Sequence, residues 1–246
     1  MTEFEEKIAL LQQKIDDAEN IVFFGGAGVS TESGVPDFRS KDGLYNQHDV
    51  RFEDYEPEFL LSRNCLDHEP EVFFEFYRQK LDCRSIKPNI THEKLAELEA
   101  RGKHITIITQ NIDGLHQKAG SKHVLEIHGT TARVYCEKCH KQFEQKDIFD
   151  SKELVPRCEC GGKIRPDIVL YGEYLPDVYY EAQNKIDNAD LIIVAGTSLT
   201  VYPAANLISA YHKYKTVIVN HDATEKDRCA CLVLHNRLGE VFSQLK

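Results

Sequence analysis

The chain has 246 residues, 41% of them hydrophobic and 28% charged, which fits an ordinary globular protein with one large domain or a large domain and a smaller companion. A formal net charge of −10 argues against a nucleic-acid binder, because no basic excess is present to displace counterions from phosphates. An acidic surface instead tolerates or attracts a lysine-rich peptide.

The opening stretch, MTEFEEKIALLQQKIDD, carries Ile8, Leu11 and Ile15 at helical spacing and predicts an amphipathic helix, not a signal peptide. The apolar runs are too short to span a bilayer. A cytoplasmic protein without membrane contact is therefore expected. In that compartment the eight cysteines stay reduced, so a cluster among them points to metal before disulfides.

Short β-branched runs then alternate with helical patterns. The runs are IVFF (21–24), HITIITQNID (104–113), VLEIHG (124–129), DIVLYGE (167–173), LIIVAGTS (191–198) and TVIVN (216–220). Between them, ITHEKLAELEARG ends in Arg101 and Gly102 like a helix, and PDVYYEAQNKIDNA begins with proline near a helix start. Apolar runs without alternation, interleaved with helices, predict an α/β fold: a doubly wound, parallel, Rossmann-like sheet covered on both faces. Two segments break the rhythm. Residues 40–85 are helical and aromatic, and residues 133–163 are charged and cysteine-bearing. Together they form the expected smaller domain, a helical insertion plus a metal-binding module. Residues 1–39, 86–132 and 164–246 form the larger one.

The first run passes directly into Gly25, Gly26, Ala27 and Gly28. Glycines at a strand end let a backbone approach phosphates closely, with amide N–H groups and a following helix N-terminus stabilising the anion. Gly26 and Gly28 match the first two glycines of a G-x-G-x-x-G pattern, and Thr31 stands where the third would be. Taken alone, a tight strand-to-helix turn explains the pattern as well. Behind Pro36, Asp37, Phe38 and Arg39 emerge from a rigid loop, where Arg39 suits a pyrophosphate and Phe38 suits an aromatic ligand. The acidic residue that binds an adenosine ribose about twenty positions on has no clear counterpart, and Asn220 is the substitute on another strand.

The second run ends in Gln110, Asn111 and Asp113. Turn chemistry explains Asp113–Gly114 but not Gln110–Asn111, and ligands of open α/β sheets sit beyond such strand ends. The third run delivers His128 to a strand end, where an imidazole is the natural general base for a hydroxyl. His92 and His116 lie in helical contexts and rank behind it. Cys136 and Cys139 form C-x-x-C, and Cys158 and Cys160 form C-x-C followed by Gly161–Gly162. Four thiolates without histidine favour a closed structural zinc. A further C-x-C at Cys229 and Cys231 leaves other ligand sets open, while Cys65 and Cys83 read as ordinary core or surface residues.

GAGVSTESGVPDFR, TQNIDGLHQKAGS, the HG at His128, the four cysteines, KPNITH, IRPDIVLYGE, GTSLTVYPAA and IVN together resemble the sirtuins, NAD-dependent protein deacylases, in their small single-chain bacterial form, over nearly the whole chain. The resemblance implies that Gly26, Ala27, Gly28, Thr31, Phe38 and Arg39 line an NAD pocket. Gln110 would contact the ribose on the nicotinamide side, Asn111 would organise that pocket, and Ile112 and Asp113 would hold the carboxamide. Gly196, Thr197, Ser198, Asn220 and His221 would take the adenosine half, and Val169, Tyr171, Gly172 and Val201 the acyl-lysine channel. A peptide would add there as a strand. His128 would serve as the general base, with Asn111 beside it, in transferring an acetyl group from lysine to ADP-ribose with release of nicotinamide. The implied cofactors are NAD and structural Zn2+, and the implied partner is an acetylated-lysine protein or peptide, met by a monomer.

Three departures from the family pattern stand out. Gly25 replaces a common threonine, and the second cysteine pair is one residue short. Tyr77 is followed three residues on by Lys80, where succinyl-preferring members carry arginine, so an acetyl substrate is favoured. Other acyl groups, protein mono-ADP-ribosylation and an NAD-sensing module without turnover are the rival expectations.

Overall fold

The computed structural model describes residues 2–38, 43, 44 and 49–246, with the backbone alone at 210 and 211. The helices, in chain order, are α1 (Glu3–Asp17), α2 (Arg63–His68), α3 (Pro70–Lys80), α4 (Ile90–Ala100), α5 (Leu115–Ala119), α6 (Lys146–Phe149), α7 (Val178–Asn188) and α8 (Leu238–Phe242). The strands are β1 (Asn20–Gly25), β2 (His104–Thr109), β3 (Val124–Glu126), β4 (Gly129–Cys136), β5 (Gln142–Phe143), β6 (Ile164–Ile168), β7 (Leu191–Ala195), β8 (Thr216–Asn220) and β9 (Leu232–His235). None of the described helices is long and apolar enough to cross a membrane.

Six strands form one parallel sheet in the order β3-β2-β1-β7-β8-β9. The strand order reverses between β1 and β7, and a doubly wound sheet opens its ligand crevice at such a point. The missing polar alternation has its cause here. Phe23 faces α1, α4 and α8 through Leu11, Leu95 and Phe242, while its neighbours Val22 and Phe24 face α7 through Ala182 and Ile186. Both faces are buried, so both alternating sets are apolar. α1 is fixed at its start by a capping box between Thr2 and Glu5 and buries Leu11 and Ile15, as the spacing predicts. α4 stops where expected, with Arg101 at its C-cap and Gly102 at φ 98°.

The run 167–173 departs from expectation. Only its first two residues are strand, at the end of β6, and β6 pairs antiparallel with β4 in a separate three-stranded sheet, β5-β4-β6. Leu170–Glu173 forms a turn closed by the Glu173 N–H donating to the Leu170 carbonyl at 2.9 Å. β4, β5 and β9 carry no sequence signal of the kind used for the main sheet. β4 mixes exposed Ala132 and Arg133 among buried residues, and β9 has four residues. A second core gathers Phe73, Phe74 and Tyr77 of α3 with Val134, Ile148 and Ile164, joining the helical insertion to the cysteine-bearing segment.

Candidate active site

A cleft of about 1890 Å³ opens beyond the carboxyl ends of β1, β2, β7 and β8. Single small-molecule pockets run to roughly 300–1,000 Å³, so this space has room for two ligands. Gly26, Ala27, Gly28, Thr31 and Phe38 line it. Arg39 lies outside the described residues. The turn after β1 enters two short 3-10 turns, Ala27–Val29 and Thr31–Ser33, in place of the expected α-helix, so an anion there would meet backbone N–H groups without a helix dipole behind them. The glycines have a further cause. A Cβ on Gly28 would stand 2.8 Å from Gly196 Cα, and one on Gly26 would stand 2.6 Å from Thr197 Cβ. Gly28 N–H donates to the Gly196 carbonyl at 2.8 Å, and Gly196 itself sits at φ 58°. Two loops touch here by their backbones, and side chains would part them.

At the end of β2, Gln110, Asn111 and Ile112 line the cleft, whereas Asp113 lies behind it, buried. Ser30 connects the two layers. Its Oγ accepts from Asn111 Nδ2 at 3.0 Å and donates to Asp113 Oδ2 at 2.7 Å, while Asp113 Oδ1 accepts from the Leu115 N–H at 2.9 Å. Burial raises the Asp113 carboxyl above its ordinary value, opposed by these two donors. Gln110 Nε2 donates to Thr197 Oγ1 at 3.1 Å. His128 lines the cleft, and its Nδ1 is 3.0 Å from the Gln110 carbonyl. A carbonyl can only accept, so Nδ1 carries the hydrogen and Nε2 keeps its lone pair in the neutral ring. Burial pushes the imidazole below its ordinary value and so favours that neutral ring, against the smaller raising effect of the Gln110 carbonyl.

On the opposite side stand Gly196, Thr197, Ser198, Asn220 and His221. Asn220 spends its amide on Thr197, accepting from its N–H at 3.0 Å and donating to its carbonyl at 2.8 Å, so it shapes the loop after β7. Ser198 Oγ lies 2.8 Å from Thr200 Oγ1, and exposed His221 holds Asp222 at 3.0 Å. Val169, Tyr171, Gly172 and Val201 line the same cleft. Val169 N–H donates to the His128 carbonyl at 2.9 Å, which ties this segment to the base. Tyr171 N–H donates to Leu61 at 3.0 Å and its carbonyl accepts from Arg63 N–H at 2.9 Å. Gly172 follows inside the 170–173 turn at φ 90°, and its own backbone groups have no hydrogen-bond partner among the described residues.

Away from the cleft, the sulfurs of Cys136, Cys139, Cys158 and Cys160 all lie within 4.8 Å of one another. Cys136 and Cys160 are 3.5 Å apart, and Cys139 and Cys158 are 3.7 Å apart. A tetrahedron with Zn–S bonds of about 2.3 Å has edges of roughly 3.8 Å, so the donor set fits zinc. Gly161 at φ 80° turns the short second pair, and Gly162 passes so close that a Cβ would stand 2.6 Å from Cys136 Sγ. Cys231 instead turns its thiol to the Thr216 carbonyl at 3.2 Å, and neither it nor Cys229 joins the cluster.

Sequence reasoning missed Ser30, a hydroxyl inside a quoted motif, because a serine in a glycine-rich loop carries no sign of its partners. Arg237 also lines the cleft and makes no ion pair among the described residues. Tyr77 and Lys80 are absent from the lining. Tyr77 is fully buried and stacks on Phe149 with ring centres 5.0 Å apart, and Lys80 Nζ is 3.7 Å from Asp49.

The Sir2 family model matches residues 26–203. An NAD-dependent protein deacetylase of Clostridium tetani is 49% identical over 234 residues, covering 94% of each chain. Among solved structures, a Sir2 in complex with a deacetylated p53 peptide and 3'-O-acetyl ADP ribose superposes with a TM-score of 0.87 at 36% identity, covering 96% of both chains. A Sir2–p53 peptide–NAD+ complex gives 0.85 at 37% identity over 96% of both.

Proposed function

The chain belongs to the Sir2 family, and we infer from that membership and from the cleft that it is an NAD-dependent protein-lysine deacetylase. One observation carries the inference: the glycine turn, His128 and Val169–Gly172 line a single continuous space. A dinucleotide and a peptide can therefore meet there with a base between them.

When bound, NAD would supply both the ribose carbon that the acyl oxygen attacks as the bond to nicotinamide breaks and the ribose hydroxyl that finally carries the acetyl group, with one water consumed in releasing free lysine. The remaining work falls to the chain. Gly26, Ala27, Gly28 and Thr31 admit the phosphates close to the backbone, with Arg237 and Lys226 the Arg and Lys side chains among the described lining residues, and Phe38 covers the site. Asn111, oriented through Ser30, and Ile112 frame the nicotinamide side, and Asp113 acts behind them by holding Ser30. Gln110 faces the adjoining ribose. Gly196, Thr197 and Ser198 shape the adenosine end, with Asn220 fixing Thr197 and His221 at the rim.

His128 takes a proton at Nε2 from a ribose hydroxyl, because its Nδ1–H is committed to Gln110. The acetylated peptide adds as a strand to Gly172, and Val169, Tyr171 and Val201 enclose the acyl-lysine stem. Neutral acetyl fits better than an acyl group ending in carboxylate, since the described lining offers no Tyr77 or Lys80 to receive that charge. The four cysteines hold zinc in a structural role, remote from the proton transfer.

The division into a larger unit (1–39, 86–132 and 164–246) and a smaller one (40–85 and 133–163) belongs to the same proposal, as does a cytoplasmic location, which eight free thiols favour. Mass spectrometry of the protein with NAD and an acetyl-lysine peptide tests the function. Loss of the acetyl mass from the peptide with appearance of O-acetyl-ADP-ribose is the expected result. Consumption of NAD with the peptide intact would overturn it.

A further inference from the structure

Ser62 and Tyr171 form an isolated parallel bridge that places the head of α2 against the segment lining the acyl end of the cleft. The residue after Ser62 is Arg63, whose backbone N–H supplies the hydrogen bond to Tyr171 and whose guanidinium then turns three ways. Nε and Nη2 grip both oxygens of Asp67 at 2.7 Å each, Nη1 bonds Glu137 Oε1, and Nη1 lies 3.7 Å from Glu173 Oε1. Glu137 stands between Cys136 and Cys139 in the first cysteine pair. Glu173 stands one residue past Gly172.

Glu173 is itself a clamp. Its carboxylate takes Arg165 Nη1 at 2.6 Å, Arg165 Nη2 at 3.1 Å and the Leu170 N–H at 3.0 Å, closing the 170–173 turn. Arg165 is buried, and it also donates to the Ile168 carbonyl at 2.8 Å. Lys163 completes the circuit with bonds to the Leu66 carbonyl at 2.8 Å and Asp67 at 3.1 Å. Partly exposed ion pairs taken singly contribute little, so the significance of the network is geometric: one planar guanidinium with fixed donors touches three separate chain segments at once.

We propose that Arg63 is a positioning residue for the peptide substrate. Through it the cysteine knuckle and the helical insertion hold the Leu170–Glu173 turn in the conformation that presents Gly172 to an acetyl-lysine peptide. Peptide affinity then depends on the metal-loaded knuckle, whereas NAD affinity, set across the cleft by the loops after β1, β2 and β7, does not. This rests on the deacetylase function for the identity of the peptide.

The test is peptide binding measured without turnover, by fluorescence anisotropy of a labelled acetyl-lysine peptide, beside NAD binding and zinc content. Arg63→Met keeps the stem and removes the fork. It should weaken peptide binding about tenfold, an ordinary size for coupling between sites, with zinc retained and NAD affinity unchanged. Arg63→Lys should recover part of the loss. Chelating zinc should weaken peptide binding by the wild type and add little further loss in Arg63→Met. If Arg63→Met does not fold, Glu137→Gln, which keeps every cysteine, carries the same expectation. Unchanged peptide affinity, or peptide and NAD affinity falling together, would overturn the proposal. A wild type that binds the peptide but never turns it over would sink the deacetylase function and leave Arg63 its role.

Discussion

The Nδ1 of His128 lies 3.0 Å from the carbonyl oxygen of Gln110, and this contact decides which imidazole nitrogen can act as a base. Gln110 follows β2 directly and His128 lies two residues beyond β3, so the parallel pairing that ends at Thr109 and Glu126 brings them together. Burial also holds the ring below its ordinary value of 6.5. The acidic limb of kcat/KM should therefore lie below pH 6.5, with full activity at neutrality, since the base must be neutral to accept a proton. A pH–rate profile checks this, and an activity that rises only well above pH 7 would assign the limb to another group.

Ser30 offers a second test, because its one hydroxyl serves both Asn111 and Asp113. Ser30→Ala leaves the buried Asp113 oxygen without that donor, at a cost of about 1–3 kcal/mol in stability. It also frees the Asn111 amide beside the cleft. Thermal unfolding should fall while KM for NAD rises, and the peptide KM should stay near that of the wild type.

The contact between the loops at Gly28 and Gly196 predicts a backbone-driven loss. Gly196→Ala places a Cβ 2.5 Å from Val29 N at a positive φ of 58°. The expected destabilisation is about 1–3 kcal/mol from the dihedral alone, more with the clash, and NAD affinity should fall with it. Denaturant unfolding and NAD titration measure both.

His92 and His116 make the fold acid-sensitive. Their ring centres lie 4.7 Å apart at a tilt of 59°, and His92 Nε2 and both His116 nitrogens have no hydrogen-bond partner among the described residues. Burial lowers His92 to about 4. Burial, with a smaller contribution from charge on His92, lowers His116 to about 3. Both folded values lie below the unfolded value, so the unfolded chain binds protons that the native state refuses. Stability is complete above pH 6.5 and is lost as pH falls toward 4, by about 3 kcal/mol for a shift of His92's size. Unfolding midpoints from pH 7 to 4.5 should fall, and His116→Phe should flatten the slope.

Zinc removal gives a fourth check on structure. Cys136→Ala removes one corner of the sulfur cluster and should release metal and lower the melting temperature. Metal content unchanged in that variant would mean that the ligand set is wrong.

Much of this was legible in the residues. β8 is TVIVN to the residue, because both faces of the strand are buried and Asn220 marks its end. The cysteine spacing picked out four thiols that the fold brings together, and the strand ends picked out Gln110, Asn111 and His128, which line the cleft. What failed had local physical reasons. The 167–173 run is apolar because it crosses from the second core into the cleft, and apolarity alone does not say which sheet a strand joins. The helix expected after Gly28 is replaced by 3-10 turns, since that loop is shaped by contact with Gly196, far along the chain. Arg63 and Glu173 gave no signal, because ion pairs between distant segments leave no spacing to read.

A quenched time course with NAD and an acetyl-lysine peptide, run with wild type and with His128→Ala, measures the chemistry most directly. In the wild type, nicotinamide, deacetylated peptide and O-acetyl-ADP-ribose should appear in equal amounts. In His128→Ala, deacetylated peptide should fall by about two to four orders of magnitude while NAD still binds. Deacetylation retained in His128→Ala, or deacetylated peptide formed without nicotinamide, would contradict a mechanism in which this histidine is the base and NAD receives the acyl group.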